Sequence, residues 1–269
     1  MKILPQETDQ FDDLIHNEKT TFNDLTVFDR NGLAPISKDN LYGLIDSLGE
    51  VVVPFEYQSI VMSTYNIYSV SKNDKWGYIT KANEIVIPIE YDLTSDFIEN
   101  LCAVKKEGKW GFIDLLNEVV IPIDYDGCTD FKSGIAGVMK DEKWGVIDKN
   151  NELKIDYQYQ YLTPVDENFI SFGVESNIKV ERTDILAHFP YMISKNNYIM
   201  NFGLISSKNE VLLEPISELP VLESFNGNPV VRINYQIGYL ENMKNFIPFK
   251  QFEIDPYEEK ILKQLGVMK

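Results

Sequence analysis

The 269-residue chain carries 42 acidic against 25 basic side chains, a formal charge of −17, which argues against a surface for nucleic acid or other phosphate-rich partners. Its apolar fraction of 44% is that of a globular protein, and a chain of this length buries a sizeable core without help from a disulfide or metal. Two histidines and two cysteines leave little material for His-based catalysis or a Cys/His metal site.

The first residues, Met1-Lys2-Ile3-Leu4-Pro5-Gln6-Glu7, have neither the charged end nor the apolar run of a signal peptide. No stretch approaches the ~18 consecutive apolar residues of a membrane helix. With Cys102 and Cys128 in no metal-binding spacing, the expectation is a cytoplasmic protein with reduced thiols and no membrane partner. Residues 1–32 read as an N-terminal cap segment in which Phe11, Leu14 and Ile15 suggest a short helix among acidic residues.

From residue 33 to 252 the chain repeats itself. All three tryptophans stand in Lys-Trp-Gly, at Trp76-Gly77, Trp110-Gly111 and Trp144-Gly145, spaced by 34 residues. Tyr42-Gly43 lies the same interval earlier, and Phe202-Gly203 and Ile237-Gly238 are later, degraded copies. Pro54, Pro88 and Pro122 each follow their glycine by 11 residues. Six units of about 34 residues are expected on this count.

Each unit reads as three short antiparallel strands. Leu101–Lys105 typifies the first and Lys109–Asp114 the second. A turn of the form Asp-x-x-(Gly/Asn)-Glu follows, with Gly49, Asn83, Asn117, Asn151 and Asn209 at the position that tolerates positive φ. The third strand alternates. Val53, Phe55 and Tyr57, with their equivalents Ile87, Ile89 and Tyr91, and Ile121, Ile123 and Tyr125, form the face expected in the core. The opposite face, with Glu56, Glu90 and Asp124, is expected to be at least partly wet, and the proline within it predicts an edge strand or a bulge. The glycine after each tryptophan predicts a close approach, with an aromatic ring of a neighbouring unit as the expected partner. The tryptophans themselves are expected to pack between repeats, with ligand stacking as the alternative.

These residues resemble the WG-repeat (KWG-repeat) family of bacterial proteins, most clearly over the first four units. The resemblance implies a β-rich interaction scaffold with no shared catalytic motif and leaves the partner open. The expected fold is all-β, an open solenoid-like array of three-stranded repeats, because about 34 residues barely supply the fourth strand of a propeller blade and helical ends suggest caps; six units leave a closed β-propeller as the alternative.

Later in the chain, 24 extra residues separate Gly145 from Gly203, which places an insertion at about 175–198. It contains Arg182, Asp184 and His188, and suits either partner contact or a plain extension of a turn. Residues 253–269 end the chain. Asp255-Pro256-Tyr257-Glu258 has the signature of a helix start, followed by Ile261, Leu262 and Leu265, so a C-terminal capping helix is expected.

No phosphate loop, dinucleotide fingerprint, zinc-protease helix or serine-hydrolase elbow occurs, and no cofactor is implied. What remains is a column of like carboxylates: Glu56, Glu90 and Asp124, with Asp92 and Asp126 two residues beyond the latter two. Repetition of one group suits a solvated face or a basic protein partner better than an active site, where unlike groups converge; a cation site is the third reading. The function expected is a non-enzymatic protein-binding scaffold, with an inhibitor- or immunity-type protein that masks a basic partner as the concrete form. Binding of glycans on the aromatic row Tyr57, Tyr91 and Tyr125 is the alternative.

Overall fold

A computed structural model describes residues 28–63, 65–166, 168–179, 198–217, 220–221, 224–233 and 236–249. The helices expected near residues 11–15 and 255–266 lie outside the described residues, as do Arg182, Asp184 and His188. Among the described residues every regular element is a strand, and all sheets are antiparallel. The chain divides into two compact units, Met1–Asp124 and Tyr125–Lys269.

In the first unit, β1 (Ala34–Lys38), β2 (Leu41–Ile45) and β3 (Val51–Tyr57) form a three-stranded meander. Next come β4 (Ser59–Met62), β5 (Ile67–Lys72), β6 (Lys75–Thr80) and β7 (Ile85–Tyr91), and then β8 (Leu93–Ile98), β9 (Leu101–Lys106), β10 (Lys109–Ile113) and β11 (Val119–Tyr125), whose last residue opens the second unit. The second unit continues with β12 (Gly127–Cys128), β13 (Ile135–Lys140), β14 (Lys143–Asp148) and β15 (Leu153–Tyr159). There follow β16 (Tyr161–Pro164), β17 (Ile170–Lys179), β18 (Tyr198–Ile205) and β19 (Val211–Ser217), then β20 (Ser224–Phe225), β21 (Asn228–Ile233), β22 (Gln236–Glu241) and β23 (Asn245–Pro248).

Five of these sheets are four-stranded, which corrects the expectation of three strands per repeat. The missed strand costs almost no chain, because β4 starts one residue after β3 ends, and Asp92, Asp126 and Gln160 make the same one-residue step later. A bend of one residue replaces the loop that the length argument had allowed for. With a fourth strand present in these repeats, chain length no longer favours an open array over a propeller.

The pattern of faces holds at Val53, Tyr57 and their equivalents, whereas Phe55, Ile89 and Ile123 between them are only half-buried. Val53, Ile87, Ile121 and Ile155 are buried, whereas Pro54, Pro88 and Pro122 are exposed on the other side of their strands. Within the first unit, Leu44 and Val53 of the first sheet pack against Ile60, Tyr68, Val70 and Ile79 of the second. Ile67, Tyr78 and Ile87 of the second then pack against Phe97, Cys102, Val104 and Ile113 of the third. In the second unit Val146 and Ile155 meet Leu162, Ile170 and Phe172 in the same way. Burying each such side chain is worth roughly 1.5–3 kcal/mol, so sheet-on-sheet contact between successive repeats is the main cohesive term. The ladder of β17 and β18 runs outward from Gly173 opposite Phe202 to Lys179 opposite Tyr198, with a register shift after Glu175.

Candidate functional site

The Trp-Gly pair is explained by the strand beside it. Trp76 lies opposite Tyr91 and Tyr78 opposite Ile87, so the single residue Gly77 faces Pro88, Ile89 and Glu90. A Cβ on Gly77 would stand 2.6 Å from the carbonyl oxygens of Ile87 and Pro88, and one on Gly111 would stand 2.7 Å from those of Ile121 and Pro122. The bulged edge strand crosses directly over the glycine. Only a residue without a side chain permits that crossing. The expectation of an aromatic ring from a neighbouring unit is therefore wrong for Gly43, Gly77 and Gly111, which meet main chain of their own sheet. At Gly145 and Gly203 the ring of Tyr157 or Phe172 comes close as well, again within the same sheet. The proline fits the same geometry, because it sits in the bulge of an edge strand, where a missing N–H is tolerated.

Trp76, Trp110 and Trp144 are half-buried, and Trp144 packs against the cluster of Val146, Ile155, Leu162, Ile170 and Phe172 between two successive sheets. The fully enclosed rings are Tyr78 and Phe112, two residues further along the same strands. Tyr42 is exposed at the equivalent position, whereas Phe202 is completely buried.

The end of each edge strand is fastened to the turn of the next repeat. The Tyr57 hydroxyl donates to Asn83 Oδ1 at 2.7 Å and that of Tyr91 to Asn117 at 2.8 Å; in the second unit Tyr125 donates to Asn151 at 2.6 Å and Tyr159 to Asn209. The same asparagines take the positive φ that the turn requires, 62–64° at Asn83, Asn117, Asn151 and Asn209. The first residue of the turn holds its loop, since Asp46 Oδ1 accepts from the amides of Leu48 and Glu50, and Asp114 and Asp148 do likewise. Burial raises the pKa of Tyr57, Tyr91 and Tyr159. Tyr57, Tyr91 and Tyr125 are thus core residues joining repeats. They offer no stacking platform, and the glycan reading loses its aromatic row.

The carboxylates expected to meet a partner are engaged locally. Glu56 accepts from Lys72 Nζ at 2.7 Å and from Asn83 Nδ2 at 3.1 Å, and the Lys72 hydrogen bond, followed by that of Asn83, holds its carboxyl below the usual range. Glu90 pairs with Lys106 at 3.0 Å. Asp92 pairs with Lys75 and accepts from the Gly108 amide, and these bonds, Lys75 first, lower its pKa. Asp126 accepts from the Asp141 amide at 2.9 Å, and Asp124 is exposed at the end of β11. The residues that sequence reasoning missed are lysines. Lys72 and Lys106 lie over the rings of Tyr57 and Tyr91 while pairing with the neighbouring glutamates, and in the second unit Lys140 lies over Tyr125. Their signal was available, since Lys38, Lys72, Lys106 and Lys140 share the 34-residue interval.

This geometry coincides with a known sequence family. A family of WG containing repeats matches at residues 42–76, 76–110, 110–144 and 144–175. Residues 42–175 belong to the WG-repeat family. No curated protein matches the chain. Among solved structures it is similar to Hsv2p of Kluyveromyces lactis, with 8% identity over 85% of this chain and 76% of the other and a TM-score of 0.44. It is also similar to the Pan2 WD40 domain of Neurospora crassa, with 13% identity over 91% and 85% of the two chains and a TM-score of 0.41. Among the described residues no group of three or more metal-ligating side chains converges, and no helix is long and apolar enough to cross a membrane.

Proposed function

We propose that this chain is a non-catalytic scaffold that captures a basic protein partner, acting in the cytoplasm as an inhibitor or immunity-type protein does. The observation that supports it is the recurrence of one side-chain chemistry at each repeat, on a chain of charge −17. Repeated like groups suit contact with an extended surface, and the negative field steers a cationic protein toward it.

The carboxylates of Glu56, Glu90, Asp92, Asp124 and Asp126 are the proposed contacts on the repeats, and Arg182 and Asp184 those of the insertion. That Glu56 and Glu90 already hold lysines does not prevent this. Exposed Lys–carboxylate pairs are worth at most ~1 kcal/mol, and an arginine of the partner, with its two-pronged bond to a carboxylate, competes well against lysine.

The test is capture of partners from lysate, identification by mass spectrometry, and binding kinetics at two salt concentrations. Glu56→Gln, Glu90→Gln and Asp124→Asn combined should slow association and flatten its salt dependence, while changes at Arg182 and Asp184 should act on dissociation. Association and salt dependence equal to those of the unaltered chain would remove these carboxylates from the partner's path.

A further inference from the structure

We infer that the partner docks on the turn-and-edge rim of the first unit, and that the docking segment is a basic stretch of protein carrying apolar side chains among its lysines or arginines. This rests on the reading above that the partner is basic, and moves the contact to a different part of each repeat.

The rim is made by the opposite end of the same edge strands. Leu48, Val51, Ile85, Leu116 and Val119 are between 54% and 79% exposed. Three of them, Val51, Ile85 and Val119, are the first residue of the edge strand in successive repeats, and the other two sit in the turns just before. Single exposed aliphatics are unremarkable, but one recurring at a fixed place in every repeat of a unit makes a row. The turns are brought into register by the bonds from Tyr57 to Asn83 and from Tyr91 to Asn117.

The residue before each strand is an exposed glutamate: Glu50, Glu84 and Glu118. Their side chains make no hydrogen bond or ion pair among the described residues, in contrast to Glu56 and Glu90 with their lysines. Within the three turns Lys81 is the sole cation, against Asp46, Glu50, Glu84, Asp114 and Glu118. The fourth repeat, in the second unit, shows how such a rim is closed. There Lys154 takes the place of Val52, Val86 and Val120 and bonds to Asp148 at 2.7 Å and Glu152 at 2.9 Å.

The chemistry selects one occupant. A second copy of the chain carries the same negative charge and is repelled. A glycan wants aromatic platforms, and this row is aliphatic. Strand addition along the edge is blocked by Pro54, Pro88 and Pro122 and by the bulge around them. A segment with apolar side chains for the valine and isoleucine row and cations for the glutamates meets both halves of the surface.

The experiment uses the full chain and two synthetic probes: an amphipathic lysine–leucine peptide of about 18 residues, with its leucines in one helical stripe, and oligolysine of the same charge. By fluorescence anisotropy the lysine–leucine peptide should bind roughly tenfold more tightly than oligolysine, since it alone covers the aliphatic row. Val51→Ser, Ile85→Ser and Val119→Ser combined should abolish that advantage and leave oligolysine binding as it was. Glu50→Gln, Glu84→Gln and Glu118→Gln combined should reduce the salt dependence for both probes. In amide chemical-shift mapping of the unaltered chain, the peptide should perturb residues 48–51, 82–85 and 116–119.

An advantage that survives the serine variant overturns the rim, and so do shifts centred elsewhere. If the advantage instead disappears in the Glu56, Glu90 and Asp124 variant, the basic-partner reading stands on its first face and the rim falls. If neither cationic probe binds, both readings fall together. A leucine–glutamate peptide that binds as tightly as the lysine–leucine one overturns the charge argument.

Discussion

The two ends of each edge strand have similar composition and opposite fates. At its start stand Glu50 and Val51, or Glu84 and Ile85, both open to solvent. At its end stand Glu56 and Tyr57, or Glu90 and Tyr91, with the tyrosine buried, its hydroxyl bonded to the next repeat, and the glutamate held by lysine. The difference comes from the bulge between them. Once the strand has crossed over its glycine, its end lies against the following turn, whereas its first residue stays exposed. A carboxylate's place in the repeat therefore says little about its availability until the backbone between is known.

The largest expected effect comes from preventing the crossing. Gly111→Val places a branched side chain where even a Cβ would stand 2.7 Å from the backbone oxygens of Ile121 and Pro122. The cost should be about 3 kcal/mol or more, at the top of the range for overpacking, because main chain cannot rotate aside as a side chain does. Urea denaturation checks this, and a midpoint equal to that of the unaltered chain would show that the bulge is not what the glycine serves.

Next is the fastening of the strand's end. Asn117→Val removes the acceptor for Tyr91 and puts a β-branched residue at φ 63°. Together these should cost about 2 kcal/mol, whereas Tyr91→Phe, which removes only the hydroxyl, should cost about 1. Equal losses for the two would mean that the turn conformation contributes nothing.

The features of the sequence that proved legible are those with local causes. Asn83, Asn117 and Asn151 announce the turn because positive φ is a property of one residue. Pro88 announces an edge or bulge because a missing N–H excludes a central strand. The alternation from Val53 to Tyr57 announces the buried face. The fourth strand was not legible. In Leu93-Thr94-Ser95-Asp96-Phe97-Ile98 only Phe97 is buried, the ladder is irregular between Thr94 and Phe97, and nothing in the segment marks a boundary after Tyr91. The closure of the acidic column was hidden for a different reason. Glu56 and Lys72 lie 16 residues apart on strands of different sheets, so their meeting depends on how sheets pack. The rim was not legible for the same reason: Val51, Ile85 and Val119 continue the alternation of the buried face, and only the packing of the sheets leaves them exposed.

A smaller effect sharpens the contrast in charge. Lys72→Met should change stability by only a few tenths of a kcal/mol, since both partners of the pair are exposed. Its clearer signature is in titration. Glu56 has its pKa lowered chiefly by the Lys72 bond, so the stability it contributes is complete above the ordinary carboxylate range and is lost as the pH falls through the depressed value. Removing Lys72 should move the Glu56 pKa back up, read by carbon-detected NMR of its carboxyl. A Glu56 pKa that does not move would transfer the credit to Asn83.

The smallest expected effect is at the open end, and there the smallness is the point. Ile85→Thr keeps a β-branched residue in the strand, opposite Ile79 in the ladder, and removes apolar surface that already faces water. Nothing packed is lost, no cavity forms and no polar group is buried, so stability should stay within about 0.5 kcal/mol of the unaltered chain. Ile87→Thr, two residues along on the same face, buries a hydroxyl in a fully enclosed site and should cost several times more. The pair of melting curves measures the asymmetry of the strand directly. If Ile85→Thr destabilised the fold as much as Ile87→Thr, the start of the edge strand would be covered by other parts of the protein, and the row of aliphatic residues would be core and not a docking surface.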